Sequence, residues 1–337
     1  MPEPAHGPSA AAVTGTIAGA GASTQQAASQ AWVAGFQGNN PDAVINYDPA
    51  GSGAGRTQFI ASGVDYAGSD SPVKADELTK ANARCGGSIV EVPVYVSPIA
   101  VVFNLPGVTD LQLSPATVAK MFNKQITTWN DPAIVAENAG VTLPATAIAP
   151  VNRSDKSGTT ANFTDYLKKA AGADWPYDSA DVWPVQGGEA ASGTSGVVGA
   201  VKAGNGTLGY ADESQAKGLG VIKIKVGDKF VAPSAEGAAK LLDTAEKVSG
   251  GGANEFAYTL NRTTTETTAY PATLVSYFIA CAKYQDAAKA NLVKAYLSYI
   301  VSKEGQDAAQ KNAGSAPLSD DLRGQITPAV DSITSGT

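Results

Sequence analysis

Ile148-Ala149-Pro150-Val151-Asn152-Arg153-Ser154-Asp155-Lys156-Ser157-Gly158-Thr159-Thr160 reads as the end of a buried strand, a short polar turn and the opening of a helix. The helix is predicted from near Ser157 because Phe163, Tyr166 and Leu167 recur at three- and four-residue spacing, an apolar stripe that must face a core. The first amides of such a helix have no partner one turn back and lie at the positive end of its dipole, so they point into the turn as donors. An anion set there is hydrogen-bonded and electrostatically favoured together. Gly158 allows close backbone approach, and Ser157 and Thr159 add hydroxyl donors. Arg153 supplies a planar fork matched to two oxygens of a tetrahedral anion. A serine-capped helix with a surface arginine fits the same residues, and this stretch alone leaves both readings open.

Two further segments repeat the plan. Thr16 to Thr24, with Gly19-Ala20-Gly21-Ala22-Ser23 inside it, runs from a short strand into a helix carrying Ala28, Ala31, Trp32 and Phe36 on one face. Ile45 to Gly55, containing Gly51-Ser52-Gly53, is a strand and a glycine-rich turn leading into a helix at Arg56-Thr57-Gln58-Phe59-Ile60. Each loop by itself is a weak signal, since glycine turns are common. Three strand-to-helix turns that each offer a hydroxyl would all lie at the carboxyl ends of strands, where open α/β sheets bind ligands. Asp70, in Ser69-Asp70-Ser71-Pro72, is either an Asx-type turn before the next helix or an acceptor facing the same seat. As an acceptor it would need a proton on the anion, which phosphate carries at neutral pH and sulfate does not.

These motifs, with Thr127-Thr128-Trp129-Asn130-Asp131-Pro132 and Tyr270-Pro271, stand in the order seen in the phosphate-binding proteins of ABC-type importers, which the chain resembles from about Gly15 to Gly314. The resemblance implies an α/β, two-lobed periplasmic-binding-protein fold of type II, with doubly wound sheets joined by a two-strand hinge. It implies one inorganic phosphate bound by Ser23, Thr24, Ser52, Asp70, Arg153, Ser157, Gly158 and Thr159, with Asp155 orienting Arg153. The family commonly has phenylalanine and then proline where this chain has Thr24-Gln25, and its contact there looks like a backbone amide that any residue supplies. The implied partner is the membrane permease of an ABC phosphate importer, and the implied location is extracytoplasmic, with or without a lipid anchor. No cofactor is implied.

Composition is compatible. The 337 residues are enough for two lobes with separate cores, and 43% hydrophobic with 16% charged residues is ordinary for a globular protein. The net charge of −7 argues against nucleic acid as a partner. Anion binding would then rest on local dipoles and one arginine in a desolvated cleft, with distant surface charge screened over about 8–10 Å. Cys85 and Cys281 cannot form a four-ligand zinc site, and the lone His6 lies in a Pro/Ala/Gly-rich stretch, so no metal is expected. An even pair in an extracytoplasmic chain suggests a Cys85–Cys281 disulfide, against two buried thiols.

Met1 to Ala12 has neither a basic n-region nor an apolar h-region and reads as a flexible leader, 1–12, of a chain that starts after a removed export signal. Crossings are expected near Val96-Ser97-Pro98 and between Asn261 and Thr268. Lobe 1 is then 13–96 plus 262–337, and lobe 2, 97–261, is inserted in it. A monomer is expected. Strands are predicted at Ile89–Val96 and Ile99–Phe103, and helices from Ser114 to Phe122, Thr194 to Ala203, Ser234 to Val248 and Asp286 to Ser302. Gly193-Thr194-Ser195-Gly196 also resembles an anion loop but reads rather as a helix cap, and Trp129-Asn130-Asp131-Pro132 reads as a packed surface turn. Against catalysis, a serine hydrolase needs a base beside its nucleophile, and the Walker pattern of phosphoryl transfer is absent; Asp70 or Asp155 as the nucleophile of a phosphatase-like enzyme, a receptor for another tetrahedral oxyanion, and a surface protein with a vestigial site are the alternatives.

Overall fold

The computed structural model describes residues 13–336, so the leader 1–12 and His6 lie outside the described residues. Seven strands position the site: β1 (Gly15–Gly21), β2 (Ala43–Asp48), β3 (Tyr66–Ser69), β4 (Ile89–Asn104), β5 (Ala149–Arg153), β6 (Thr207–Asp212) and β7 (Thr273–Cys281). Their spatial order is β2-β1-β3-β7-β4-β6-β5. β1 runs parallel to β2 and β3, and β5 runs parallel to β6. β7 is antiparallel to β3 and β4, and β4 is antiparallel to β6. The result is a mixed α/β fold of two lobes, one built on β1–β3 and β7 and the other on β5 and β6, with β4 shared.

β4 is a single strand of 16 residues where the sequence suggests two, and it is buried along nearly its whole length. Its first part pairs with β7 as far as Pro98, and from Ile99 onward it pairs with β6. Pro98, which has no N–H to donate, thus stands where the ladder changes partner and is tolerated there. The second proline, Pro93, sits at a register shift: Ser276 faces Tyr95 and Tyr277 faces Pro93, leaving Val94 as the extra residue of a bulge. The amide of Gln306 donates to the displaced Val94 carbonyl at 3.0 Å, so the bulge leaves no carbonyl stranded.

The helices follow the turns. They are α1 (Gln26–Asn39), α2 (Ser52–Ile60), α3 (Ala75–Arg84), α4 (Pro115–Phe122), α5 (Gly158–Ala171), α6 (Gly193–Ala203), α7 (Ala235–Asp243) and α8 (Ala287–Val301). Trp32 and Phe36 of α1 and Leu292, Tyr296 and Ile300 of α8 are buried in the first lobe, as Val118, Phe122, Phe163 and Leu167 of α4 and α5 are in the second. Side-chain caps fix several starts: Ser114, Ser157 and Asp286 each accept a bond from a first-turn amide of α4, α5 and α8. α2 begins at Ser52 rather than at Arg56. A Cβ on Gly55 would stand 2.5 Å from the Ala20 carbonyl, and one on Gly53 would stand 2.4 Å from the Lys156 Cβ, so close packing explains glycines inside this helix. α7 ends at Asp243, short of the expected Val248, because Thr244 turns its hydroxyl onto the Leu241 carbonyl and Glu246–Lys247 pairs instead with Tyr258–Thr259.

Cys85 and Cys281, at the ends of α3 and β7, are joined by a disulfide with Cα atoms 5.1 Å apart and 196 residues of separation. Closing so long a loop stabilises by about 5 kcal/mol in the chain-entropy picture. Among the described residues no helix is long and apolar enough to cross a membrane.

Candidate functional site

Four strands deliver polar groups from their carboxyl ends to one buried place. Ser23 follows β1, Ser52 opens α2 after β2, Asp70 follows β3, and Arg153 closes β5. Asp70, only 2% exposed, is the centre. Its Oδ1 accepts from the Thr24 hydroxyl at 2.6 Å and from the Ser276 hydroxyl at 2.7 Å. Its Oδ2 accepts from the Thr159 hydroxyl at 3.0 Å, and its backbone N–H donates to Ser52 Oγ at 3.1 Å. The Asx-turn alternative for Asp70 does not hold, since α3 starts later and its N-cap is Lys74.

The second lobe contributes the opening of α5. Ser157 accepts from Thr160 N at 3.1 Å as the N-cap, and a Cβ on Gly158 would fall 2.7 Å from both Asp70 Cβ and Ser52 Oγ. Only glycine permits that approach of the helix start to the first lobe. Arg153 is 3% exposed. Asp155 occupies one edge of its guanidinium, with Nε to Oδ1 at 2.7 Å and Nη2 to Oδ2 at 2.5 Å, so that edge does not grip an anion. The free side of the fork turns to Thr159, with Nη1 to Oγ1 at 3.5 Å.

The charges fit an anion seat that also contains an acceptor. Burial pushes the Asp70 carboxyl above its usual range, and the hydroxyls of Thr24, Ser276 and Thr159 together with Arg153 pull it partly back. Burial works upward on Asp155 too, but the Arg153 guanidinium and the Gly193 amide outweigh it and hold that carboxyl below its usual range. Asp155 therefore stays charged and keeps Arg153 in place. Among the described residues no cluster of His, Cys, Asp and Glu is arranged to hold a metal.

Ser52, Asp70, Arg153, Gly158 and Thr159 are thus brought together, Thr24 joins them through Asp70, Ser157 caps the helix that carries Gly158 and Thr159, and the side chain of Ser23 bonds Thr194 of the second lobe rather than any of these. Lys156 is exposed, and Trp129 is fully buried with its indole N–H on the Gly206 carbonyl at 3.0 Å. Other participants lie outside the expected ligand set, and of these only Thr194 stands in a turn noted in the sequence. Thr194, at the start of α6, places its hydroxyl 2.9 Å from Ser23 Oγ and donates its N–H to the same oxygen at 3.0 Å. Gln25 supports Ser276 through Nε2 at 2.6 Å, and Asn162 Nδ2 donates to the Asp70 carbonyl at 2.6 Å. The cue for Thr194 is visible, because its glycine-hydroxyl turn resembles the other three; Ser276 and Gln25 have none.

Direct bonds join the lobes around this seat. Gly53 N donates to the Lys156 carbonyl at 3.1 Å, and Gln215 Nε2 donates to the Ser23 carbonyl at 3.2 Å. Asp181 of the second lobe meets two cations of the first, Lys74 Nζ at 2.6 Å and Arg56 Nη2 at 3.4 Å. Its own backbone carbonyl accepts from Ser157 N at 2.8 Å, so this contact reaches the seat directly.

A water-poor seat of amides, hydroxyls, one guanidinium and one carboxylate, enclosed between two α/β lobes, defines a solute-binding protein. The comparisons agree. Residues 6–304 match the PBP superfamily domain. Phosphate-binding protein PstS 3 of Mycobacterium leprae is 34% identical over 322 residues, 94% of this chain and 87% of its own. Phosphate-binding protein PstS 3 of Mycobacterium tuberculosis H37Rv is 35% identical over 324 residues, 94% of this chain and 86% of its own. A solved high-affinity periplasmic phosphate-binding protein, PfluDING, bound with phosphate at pH 8.5, shares the fold with a TM-score of 0.74 at 23% identity over 93% of each chain. The chain belongs to the PstS family of phosphate-binding proteins within the PBP superfamily.

Proposed function

We propose that the protein is an extracytoplasmic receptor that binds one inorganic phosphate between its lobes and delivers it to the membrane permease of an ABC-type phosphate importer. The observation that carries this reading is the buried Asp70 carboxylate set among hydroxyls and opposite Arg153. An anion site needs donors; a site that also holds an acceptor needs an anion with a proton to give. Inorganic phosphate supplies both at neutral pH. Its ligands in this reading are the hydroxyls of Ser23, Ser52, Ser157 and Thr159, the amides of Thr24 and Gly158, the guanidinium of Arg153 and the acceptor Asp70, with Asp155 holding Arg153. The lobes are 13–96 with 262–337, and 97–261, with residues 254–256 reaching back to bond Glu91 of β4.

The protein is a monomeric binder and not an enzyme. Asp70 as a nucleophile would have to leave three hydroxyl donors that already hold its two oxygens. Calorimetric titration is expected to show saturable binding of one phosphate per chain, excess sulfate failing to compete at neutral pH, and no turnover of an aryl phosphate. Absence of phosphate binding, or sulfate binding of equal strength, would sink the proposal.

Closure gives a second test. The Asp181 contact joins the lobes only when they meet, so it favours the bound arrangement over an open one. Lys74 is well exposed, which discounts the pair, and Arg56 keeps its partner Glu77 at 2.7 Å. Asp181→Asn is therefore expected to weaken phosphate binding by only about two- to tenfold. Small-angle scattering should show a larger radius of gyration for the variant at subsaturating phosphate, and no change in either quantity would remove Asp181 from closure.

A further inference from the structure

We propose that Ser276, aimed by Gln25, is a positioning residue that reserves one oxygen of Asp70 for the proton of the bound anion and so sets the discrimination against unprotonated oxyanions. The inference rests on the phosphate reading above and deepens it.

The two carboxylate oxygens are held differently. Oδ1 accepts from Thr24 and Ser276, both of which belong to the lobe that carries Asp70. Those bonds do not depend on closure. Oδ2 accepts from Thr159 across the cleft, and a hydroxyl has one proton. When Thr159 gives that proton to an anion, Oδ2 is left as a buried acceptor, and a guest without a proton cannot satisfy it.

Gln25 determines which way the Ser276 proton points. Its Nε2 lies 3.3 Å from the Tyr277 carbonyl, which can only accept, so the amide nitrogen must be on that side. The same nitrogen therefore donates to Ser276 Oγ at 2.6 Å, which leaves the serine proton for Asp70 Oδ1. Ser276 is delivered by the bulge at Pro93–Tyr95, where the shift in register opposite Val94 re-aims the residues of β7 beside the site. Ser276 is fully buried and Gln25 is 2% exposed, so water cannot substitute for either.

The ionisation of Asp70 supplies a readout that a purely structural role would leave unchanged. The charged and titratable groups that face it are Arg153 from the end of β5 and Tyr47 from β2. Burial raises the Asp70 carboxyl, and Ser276 is one of the donors that lower it again. Without that donor the carboxyl keeps its proton to higher pH. Protonated, it offers a donor where it previously offered an acceptor, and sulfate becomes acceptable.

The test is phosphate titration with sulfate competition from pH 5 to 8 on the intact chain and its variants. Ser276→Ala is expected to lower the phosphate-to-sulfate ratio at neutral pH by about tenfold or more and to move the onset of sulfate competition to higher pH. Ser276→Thr, which retains the hydroxyl, should restore both. Gln25→Met, which removes the amide but leaves Ser276 in place, should displace the profile in the same direction, and it carries the test if Ser276→Ala does not fold. A wild-type ratio and pH profile in Ser276→Ala or Gln25→Met, measured beside an Asp70→Asn control that does accept sulfate, would overturn the inference and leave the receptor reading standing. An Asp70→Asn control that still excludes sulfate would overturn both.

Discussion

Asp70→Asn is expected to lower the phosphate-to-sulfate ratio at neutral pH by about a hundredfold or more, within the roughly ten-thousandfold that a site built around a substrate hydroxyl achieves. The direction follows from the two occupied sides of the carboxylate. Thr24 and Ser276 both donate to Oδ1, so the amide of an asparagine must place its carbonyl oxygen there. Its NH2 then replaces Oδ2 and faces Thr159 and the guest. A buried acceptor becomes a buried donor, which any oxyanion satisfies. Phosphate should still bind, because its remaining contacts are unchanged. Wild type should follow the same path on acidification: sulfate exclusion holds while Asp70 is ionised and is lost as pH falls through its folded pKa, which burial sets above the ordinary carboxylate range. Competition titrations on both proteins measure this, and an unchanged ratio in Asp70→Asn would place Asp70 outside the recognition of the anion.

What was legible in the sequence is what is encoded locally. The caps Ser114, Ser157 and Asp286, the apolar stripes of α5 and α8 and the hydroxyl-bearing turns after β1 and β2 all act within one turn of chain, so pattern and composition reveal them. Where the reading departed from the structure, a distant partner decides the outcome. α2 starts early because Ala20 and Lys156 press on Gly55 and Gly53, and β4 runs through Pro98 because its pairing changes from β7 to β6 there. The supporting groups of the site are less visible still. Ser276 meets Asp70 across 206 residues, and Gln25 meets Ser276 across 251. A serine in a run of buried β-residues carries no local mark of such a partner. The resemblance to a family therefore names Asp155, two residues from the Arg153 it holds, and passes over Ser276 and Gln25, whose partners are distant in the chain.

Arg153→Met should weaken phosphate binding by roughly a hundred- to several-thousandfold, the scale of about 3–5 kcal/mol for removing one member of a buried charge pair. Two effects combine. The anion loses the guanidinium, and Asp155 loses the two bonds that Nε and Nη2 donate to it. The Gly193 amide at 3.1 Å is then the remaining donor to Asp155 among the bonds described, and the carboxylate stands as a negative charge beside the place the anion must enter. Removing that second charge should therefore recover part of the loss. The double variant Arg153→Met/Asp155→Asn is expected to bind phosphate about tenfold more tightly than Arg153→Met alone, because the repulsion is gone although the guanidinium is not restored. A surface arginine capping its own loop predicts the opposite pattern, in which the single variant binds normally and the second substitution adds nothing. Isothermal titration of the four proteins of this cycle separates the two, and a positive coupling between Arg153 and Asp155 is the result that assigns Asp155 the work of holding Arg153 ready for the anion.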